Sequence, residues 1–340
     1  MNRRQRSRTQ STPPWRTGFS IPELLTVCGI IGLLAALTFP AIQSSRERAR
    51  ATSCRNNLRQ LGLACHEHDA VRGTFPLTSM RPGPIGSGLP RAISPHTQLL
   101  PYIAPDVAPH YDANDETLTY ARSNTPPTSV NRKNRLLLRR QIPTFVCPSD
   151  QGPPGTNSYR ANMGISPKQY AGIVRRDPMA ERGAFVNDRA IRPDEFFDGQ
   201  SNTALFSEKL IGDGSPASYT PWRDRHIIPT AMIYNRDDAI RICRDQATAN
   251  PAEHASFSGY TWLYGGWSQT WYLHLVPPNS SIPDCSNDIS FRNGQGLYPA
   301  SSLHVGGANC VLADGSVRLI ASQIDAQVWL DMGTRNGNGH

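Results

Sequence analysis

Local signatures of enzyme chemistry are missing from this chain. It holds no G-x-S-x-G elbow, no H-E-x-x-H helix, no phosphate-cradling glycine loop and no C-x-x-C pair. The common nucleophile, zinc-protease, nucleotide and dithiol arrangements therefore have no local support. Acidic side chains are absent from the first 18 residues, where Arg3, Arg4, Arg6, Arg8 and Arg16 stand. That block carries most of the basic excess: 35 Lys+Arg against 27 Asp+Glu gives +8, and setting the five arginines aside leaves 30 − 27 = +3. The remainder lacks a basic stripe, which argues against nucleic acid as a partner. No fixed-period repeat occurs. Glycine and proline, in contrast, are plentiful: 27 + 29 = 56 of 340 residues, above the ordinary share of roughly 12%. A mostly helical protein is disfavoured, and short strands joined by many turns are expected.

Charge is also missing from Leu24 to Ile42, LLTVCGIIGLLAALTFPAI, a run of 19 residues. A helix of roughly 17 to 25 apolar residues crosses a bilayer core. A secretory signal has a shorter apolar region, roughly 7 to 15 residues, followed closely by a small-x-small site. Here the one A-x-A nearby is Ala49-Arg50-Ala51, beyond the apolar end and among charges. The run is therefore expected to stay attached as an anchor. Ahead of it stands Gly18-Phe19-Ser20-Ile21-Pro22-Glu23. A glycine admits close backbone approach by a processing enzyme, and a carboxylate at the membrane boundary is costly unless paired.

Beyond Pro40 the chain is free of proline until Pro76. Ala51, Cys54, Leu58, Leu61, Cys65 and His68 follow steps of three or four, so one helix is expected from about Pro22 to about His68 with these residues on one stripe. Cys54 and Cys65 would lie roughly 16 Å apart on it, too far to bridge. His66 and His68 point to different sides, which argues against a metal site made from Cys65, His66 and His68 alone and for a buried cysteine with two ordinary histidines. Later segments alternate as strands, as in Thr203–Ser207 and Trp271–Leu275. Asp314-Gly315 between two β-prone runs reads as a hairpin turn in which both residues take positive φ. Ser322 and Asp325 then suggest a capping box, and Gly333 a stop, for a terminal helix. With Cys28 inside the apolar run, six of the seven cysteines remain and fifteen pairings are open. Cys243 with Cys285 is the first candidate, and Cys54, Cys65, Cys147 and Cys310 read equally as buried thiols.

The basic leader, Gly18, Phe19, and Glu23 as fifth residue counted from Phe19 resemble the type IV prepilin-type signal. His304, Asp314 and Gly315 form H-x9-DG near the C-terminus. Together the two ends resemble a large bacterial family of prepilin-like proteins described as a domain of unknown function with an H-x9-DG C-terminal domain. Further matching stretches are Cys54–Gly62, Phe145–Asp150, and Phe197–Thr203 leading to Glu208. The resemblance implies an α+β fold: a long N-terminal helix packed on a β-rich pseudopilin-like domain with large loop insertions. It implies a leader over 1–18, a membrane half-helix over 19–42, an extracytoplasmic half-helix over 43–69 and a globular domain over 70–340. A prepilin peptidase would cut between Gly18 and Phe19 and methylate Phe19, while Glu23 would meet the amino terminus of a neighbouring subunit. The chain would cross the cytoplasmic membrane once, with its C-terminal domain in the periplasm or at the cell surface. Its partners would be that peptidase, membrane lipids, and other pilin-like subunits or type II secretion or type IV pilus-like machinery.

The residues that carry the resemblance read as architecture. Asp198-Gly199 and Asp314-Gly315 suit tight turns, Asn202 can satisfy backbone groups, and Glu208 can pair with an arginine such as Arg318. The alternative is that Asp198, Glu208, His304 and Asp314 converge on a metal or a reacting group. Calcium, which some pseudopilins bind, is the one cofactor those carboxylates allow, although no D-x-D-x-D loop is present; otherwise no cofactor is expected. A structural subunit rather than an enzyme is the expectation. The runner-up is an anchored module binding glycan or protein through the aromatic run Tyr260–Tyr272.

Overall fold

The computed structural model describes residues 21–82, 90–112, 118–119, 128–129, 132–168, 178–228, 233–249, 253–287 and 295–337. The chain divides into two compact units, Met1–Arg48 and Ala49–His340. The described part of the first unit is helical throughout and belongs to a 52-residue helix, Ile21–Arg72. Its apolar side chains are uncovered: Leu24, Leu33 and Phe39 are each more than half exposed. Two hydroxyls interrupt the run, and both turn inward to the backbone. Thr26 Oγ1 donates to the Pro22 carbonyl at 2.8 Å and Thr38 Oγ1 to that of Leu34 at 2.9 Å, so neither depends on water. Pro40 is carried within the helix. Among the described residues this is the one helix long and apolar enough to cross a membrane.

In the second unit the same helix buries Cys54, Leu58, Leu61, Gly62, Ala64, Cys65 and His68. This is the expected stripe, with Ala51 only half-buried at its edge. The helix runs one turn further than His68. It stops where Gly73 takes a φ of +71° and its N–H closes on the Asp69 carbonyl at 2.7 Å, the left-handed exit that glycine adopts without strain.

The unit is α+β. A five-stranded sheet has the order Val317–Ala321, Gly307–Leu312, Ala204–Glu208, Tyr159–Asn162, Trp271–Tyr272, antiparallel except for the last pair. A smaller mixed sheet orders Gly296–Leu297, Cys285–Ser286, Arg225–Ile227 and His254–Ala255. The helix Arg236–Ala249 lies beside it, joined through the Cys243–Cys285 disulfide. Strand alternation gives the large sheet two apolar faces. Tyr159, Phe206 and Val311 belong to the main core with Leu58 and Leu61. Ala308, Cys310 and Leu312 face a second cluster built on Trp329.

At the C-terminus two expectations change in detail. The hairpin forms, with Cys310 opposite Arg318 and Val311 opposite Val317, but only Gly315 takes a positive φ, +80°. Asp314 instead fixes the loop through Oδ1, which accepts from the backbone N and hydroxyl of Ser316 at 2.9 and 2.6 Å. A four-residue loop with one left-handed glycine thus replaces the two-residue turn. The terminal helix is Ala326–Met332, capped by Asp325 and not by Ser322. Asp325 Oδ1 accepts from the N–H groups of Gln327 and Val328, which a side chain three residues earlier is too far away to do.

Gly62 packs against that hairpin. A Cβ there would stand 2.8 Å from Val311 Cγ2 and 3.1 Å from Gly315 Cα. We expect Gly62→Leu to overpack this contact and cost about 1–3 kcal/mol, read as a lower denaturation midpoint, despite leucine's better helix propensity.

Candidate functional site

Glu208 ends a central strand, and the pairing Tyr159↔Glu208 and Ala161↔Phe206 puts it on the face that looks at the helix. Tyr159 Oη donates to the Cys54 carbonyl at 3.3 Å. Asn57, one turn on, donates from Nδ2 to the Val146 carbonyl at 2.9 Å. These bonds bring the Phe145–Asp150 stretch against the helix, where Cys147 forms a disulfide with Cys54 across a Cα separation of 4.9 Å. The two cysteines are 93 residues apart in sequence, so in the chain-entropy account the bridge stabilises by about 4–5 kcal/mol.

His304 enters from the loop after the Trp222-contacting Ser301. Leu303 and Val305 are 48% and 92% exposed, yet His304 between them is buried. The turn that drives it inward is held by its own N–H, which donates to Ser302 Oγ at 3.1 Å. Its Nε2 lies 3.5 Å from Cys147 Sγ and 3.4 Å from Glu208 Oε1. Glu208 is oriented by Asn309, whose backbone N donates to Oε2 at 2.8 Å and whose Nδ2 donates to Oε1 at 2.9 Å. Cys54, Cys147, Glu208 and His304 thus offer four donor atoms within 4.8 Å of one another, all buried. A crevice with about 10 Å³ of free space, lined in part by Cys147, Ser158 and Glu208, adjoins them.

The other residues singled out in sequence lie elsewhere. His304 and Asp314 bracket the six-residue Gly307–Leu312 strand, which spans roughly 20 Å, so the two ends of H-x9-DG do not share a site. Asp314 and Gly315 are turn residues. Asp198 receives the C-terminal segment, accepting from the Gly337 N–H and, at 3.4 Å, from Thr334 Oγ1. Gly199 takes a φ of +93°, and exposed Asn202 donates to the Asp198 carbonyl at 2.8 Å. Asp198 and Asn202 line an open groove of about 770 Å³ together with Arg318 and Asp331. Arg318 therefore stands with Asp198, while Glu208 takes Asn309 and His304 as its neighbours. Cys243 and Cys285 form the second disulfide, with Cα atoms 5.5 Å apart. Cys65 and Cys310 are buried thiols, and burial pushes Cys310 up to about 12. The aromatic run is core: Trp262, Trp267, Trp271 and Tyr272 are all buried, which removes the surface a glycan would stack on. Glu23 lies in the first turn of the long helix, and Gly18 and Phe19 lie outside the described residues.

The pairing of Cys54 with Cys147 was not legible in sequence. Their shared property there is membership of two separate matching stretches, and Asn309 stands only in the β-prone run before Asp314-Gly315.

Around the site the interior is unusually charged. Lys209 Nζ meets Asp284 at 2.6 Å, and both are buried. Burial lowers the lysine's affinity for its proton and raises the aspartate's, with the opposite charge counteracting in each case. Arg160 and Arg225, also buried, act on the same carboxylate. Asp284 thus offsets the charge of Lys209 in contact and of the two arginines at longer range, and removing the anion is the more damaging change. We expect Asp284→Asn to destabilise by about 3–5 kcal/mol and Lys209→Met by less, both measured by urea unfolding.

Two buried histidines are held neutral. His274 Nδ1 donates to the Trp329 carbonyl at 2.9 Å while Nε2 accepts from Tyr272 Oη at 2.7 Å, a tautomer assigned from its partners. Desolvation lowers both His274 and His96 to about 3. With folded values below the ordinary 6.5, each contributes stability that is complete above pH 6.5 and lost as pH falls toward 3. Asp150 and Asp224, raised by burial, act with the opposite sign. A comparison with His274→Gln isolates one histidine: the gap in Tm between wild type and variant should narrow as pH drops below 6.5.

A family model described as a protein of unknown function (DUF1559) matches residues 43–327. No curated protein and no solved structure matches the chain.

Proposed function

The chain belongs to the DUF1559 family of proteins of unknown function, and from that premise we propose that it is a membrane-anchored, pseudopilin-like structural subunit. In this reading a prepilin peptidase removes residues 1–18 and methylates Phe19. The apolar segment stays in the cytoplasmic membrane with the β-rich domain outside, and the subunit joins a type II secretion or type IV pilus-like assembly. The observation that carries it is the single helix Ile21–Arg72, whose first turns are apolar and uncovered and whose last turns are built into the core of the domain. A signal cut off behind its apolar run would detach the first part from the second, and no small-x-small site stands at that place.

A structural rather than catalytic role also suits the residues around His304. Glu208 and His304 are buried, and their neighbours tie together the helix, the sheet and two loops. Glu23, at the membrane boundary, then serves packing between subunits by meeting the amino terminus of a neighbouring Phe19.

Intact-mass and N-terminal analysis of the protein from the membranes of a host with a prepilin peptidase tests the proposal. The expected chain begins at a methylated Phe19, and Gly18→Leu should leave residues 1–18 attached. A soluble form beginning downstream of Ile42 would overturn it.

A further inference from the structure

The junction at Cys54 has a second chemical state. We propose that, when the disulfide is reduced, Cys54, Cys147, His304 and Glu208 bind one zinc-type divalent cation, so that bridge and metal are alternative clasps at the same point. This inference does not depend on the anchoring route proposed above.

The donor set comes first. Two thiolates, an imidazole and a carboxylate form a closed four-ligand set of the kind tetrahedral Zn²⁺ takes. Bond lengths of about 2.3 Å to sulfur and about 2.0–2.1 Å to nitrogen and oxygen imply tetrahedral edges of roughly 3.3–3.8 Å. His304 Nε2 stands 3.5 Å from Cys147 Sγ and 3.4 Å from Glu208 Oε1, within that range on both sides. The same 3.4 Å exceeds the usual 2.7–3.2 Å of an N–H···O bond. The imidazole and the carboxylate thus stand at the long end of hydrogen-bond distance and at a spacing that two ligands of one ion also take.

Orientation comes second. Asn309 holds both carboxylate oxygens of Glu208 by its backbone N–H and its side-chain amide, and hydrogen bonds of this kind fix a carboxylate for a metal. Both are neutral donors to a carboxylate that is only 2% exposed. A divalent cation would supply the positive charge that such a buried group favours. The adjoining crevice is lined by two of the four ligands, Cys147 and Glu208, and by Lys209, and its 10 Å³ of free space is on the order of one water or one bare ion.

The chemistry balances with a dithiol as reductant. Two electrons and two protons pass from the dithiol, which leaves as its own disulfide, and the Cys54–Cys147 bond opens to two thiols. Binding of the cation displaces both thiol protons, giving two sulfur ligands beside neutral His304 and ionised Glu208. Reoxidation by a disulfide reverses the exchange and expels the ion. Among the described residues no comparable donor group surrounds Cys243 and Cys285, so the second bridge serves as an internal control.

The test uses the full chain in detergent micelles, reduced with a phosphine that is then removed under argon, and Co²⁺ as the probe. The expected result is one Co²⁺ per chain, with thiolate-to-metal charge-transfer absorption and the intense visible bands of a tetrahedral site, both lost on adding Zn²⁺. Oxidised protein should show neither. H304A and E208Q should weaken binding by about tenfold or more, while C243S/C285S should leave it unchanged. A second measurement needs no variant: in the reduced wild type, Zn²⁺ should slow alkylation of Cys54 and Cys147 and not of Cys243 and Cys285. Absence of the charge-transfer band, equal affinity in H304A and E208Q, or equal alkylation of all four cysteines with and without Zn²⁺ would each overturn the proposal.

Discussion

A helix that carries Cys54, Leu58, Leu61 and Cys65 on one stripe must have that stripe covered, and Tyr159, Phe206 and Val311 from one face of the five-stranded sheet share its core. The requirement propagates outward. Val311 has to approach so closely that position 62 has no room for a side chain. Tyr159 reaches across to a helix carbonyl, and Asn57 fastens the Val146 turn. Because the strand Ala204–Glu208 is laid down in register with Tyr159, a carboxylate arrives at the same seam as the first disulfide. The site is therefore a by-product of how the seam closes, assembled from a helix, a turn, a strand end and a loop that are far apart in the chain.

Behind the seam lies an interior rich in ionised and hydrogen-bonding groups. Arg160, Lys209, Arg225 and Asp284 are buried together, and such groups cost free energy wherever one partner is missing. They add little net stability compared with well-packed apolar residues, but they penalise any arrangement that misplaces one member. That fits a domain whose strands are short, where two-residue pairings such as Cys285–Ser286 with Gly296–Leu297 hold few backbone bonds of their own.

Periodicity made the helix and its stripe legible, and turn chemistry made the C-terminal hairpin legible, because both depend on neighbours in sequence. The cap falls at Asp325 rather than Ser322 because the helix begins three residues later than the Ser322–Asp325 spacing places it, which only the backbone decides. Asp198 and Glu208 belong to one matching stretch, yet one receives the C-terminal segment and the other faces the helix. The union of Cys54 with Cys147, and the placement of His304 against it, rest on sheet register and loop direction, and no local pattern encodes these. The arginine expected beside Glu208 was wrong for the same reason: Arg318 pairs across the hairpin with Cys310 and emerges on the groove side.

The bridge between positions 54 and 147 also decides how the molecule bears tension. A pull applied at its N-terminal end and resisted beyond residue 147 passes through the sulfur–sulfur link, so the 92 residues it bypasses carry no load. Fully drawn out, that stretch would lengthen the chain by roughly 300 Å. While the covalent shortcut is intact, that slack stays locked away, and the mechanical strength of the tether is set by a chemical bond rather than by the packing around it.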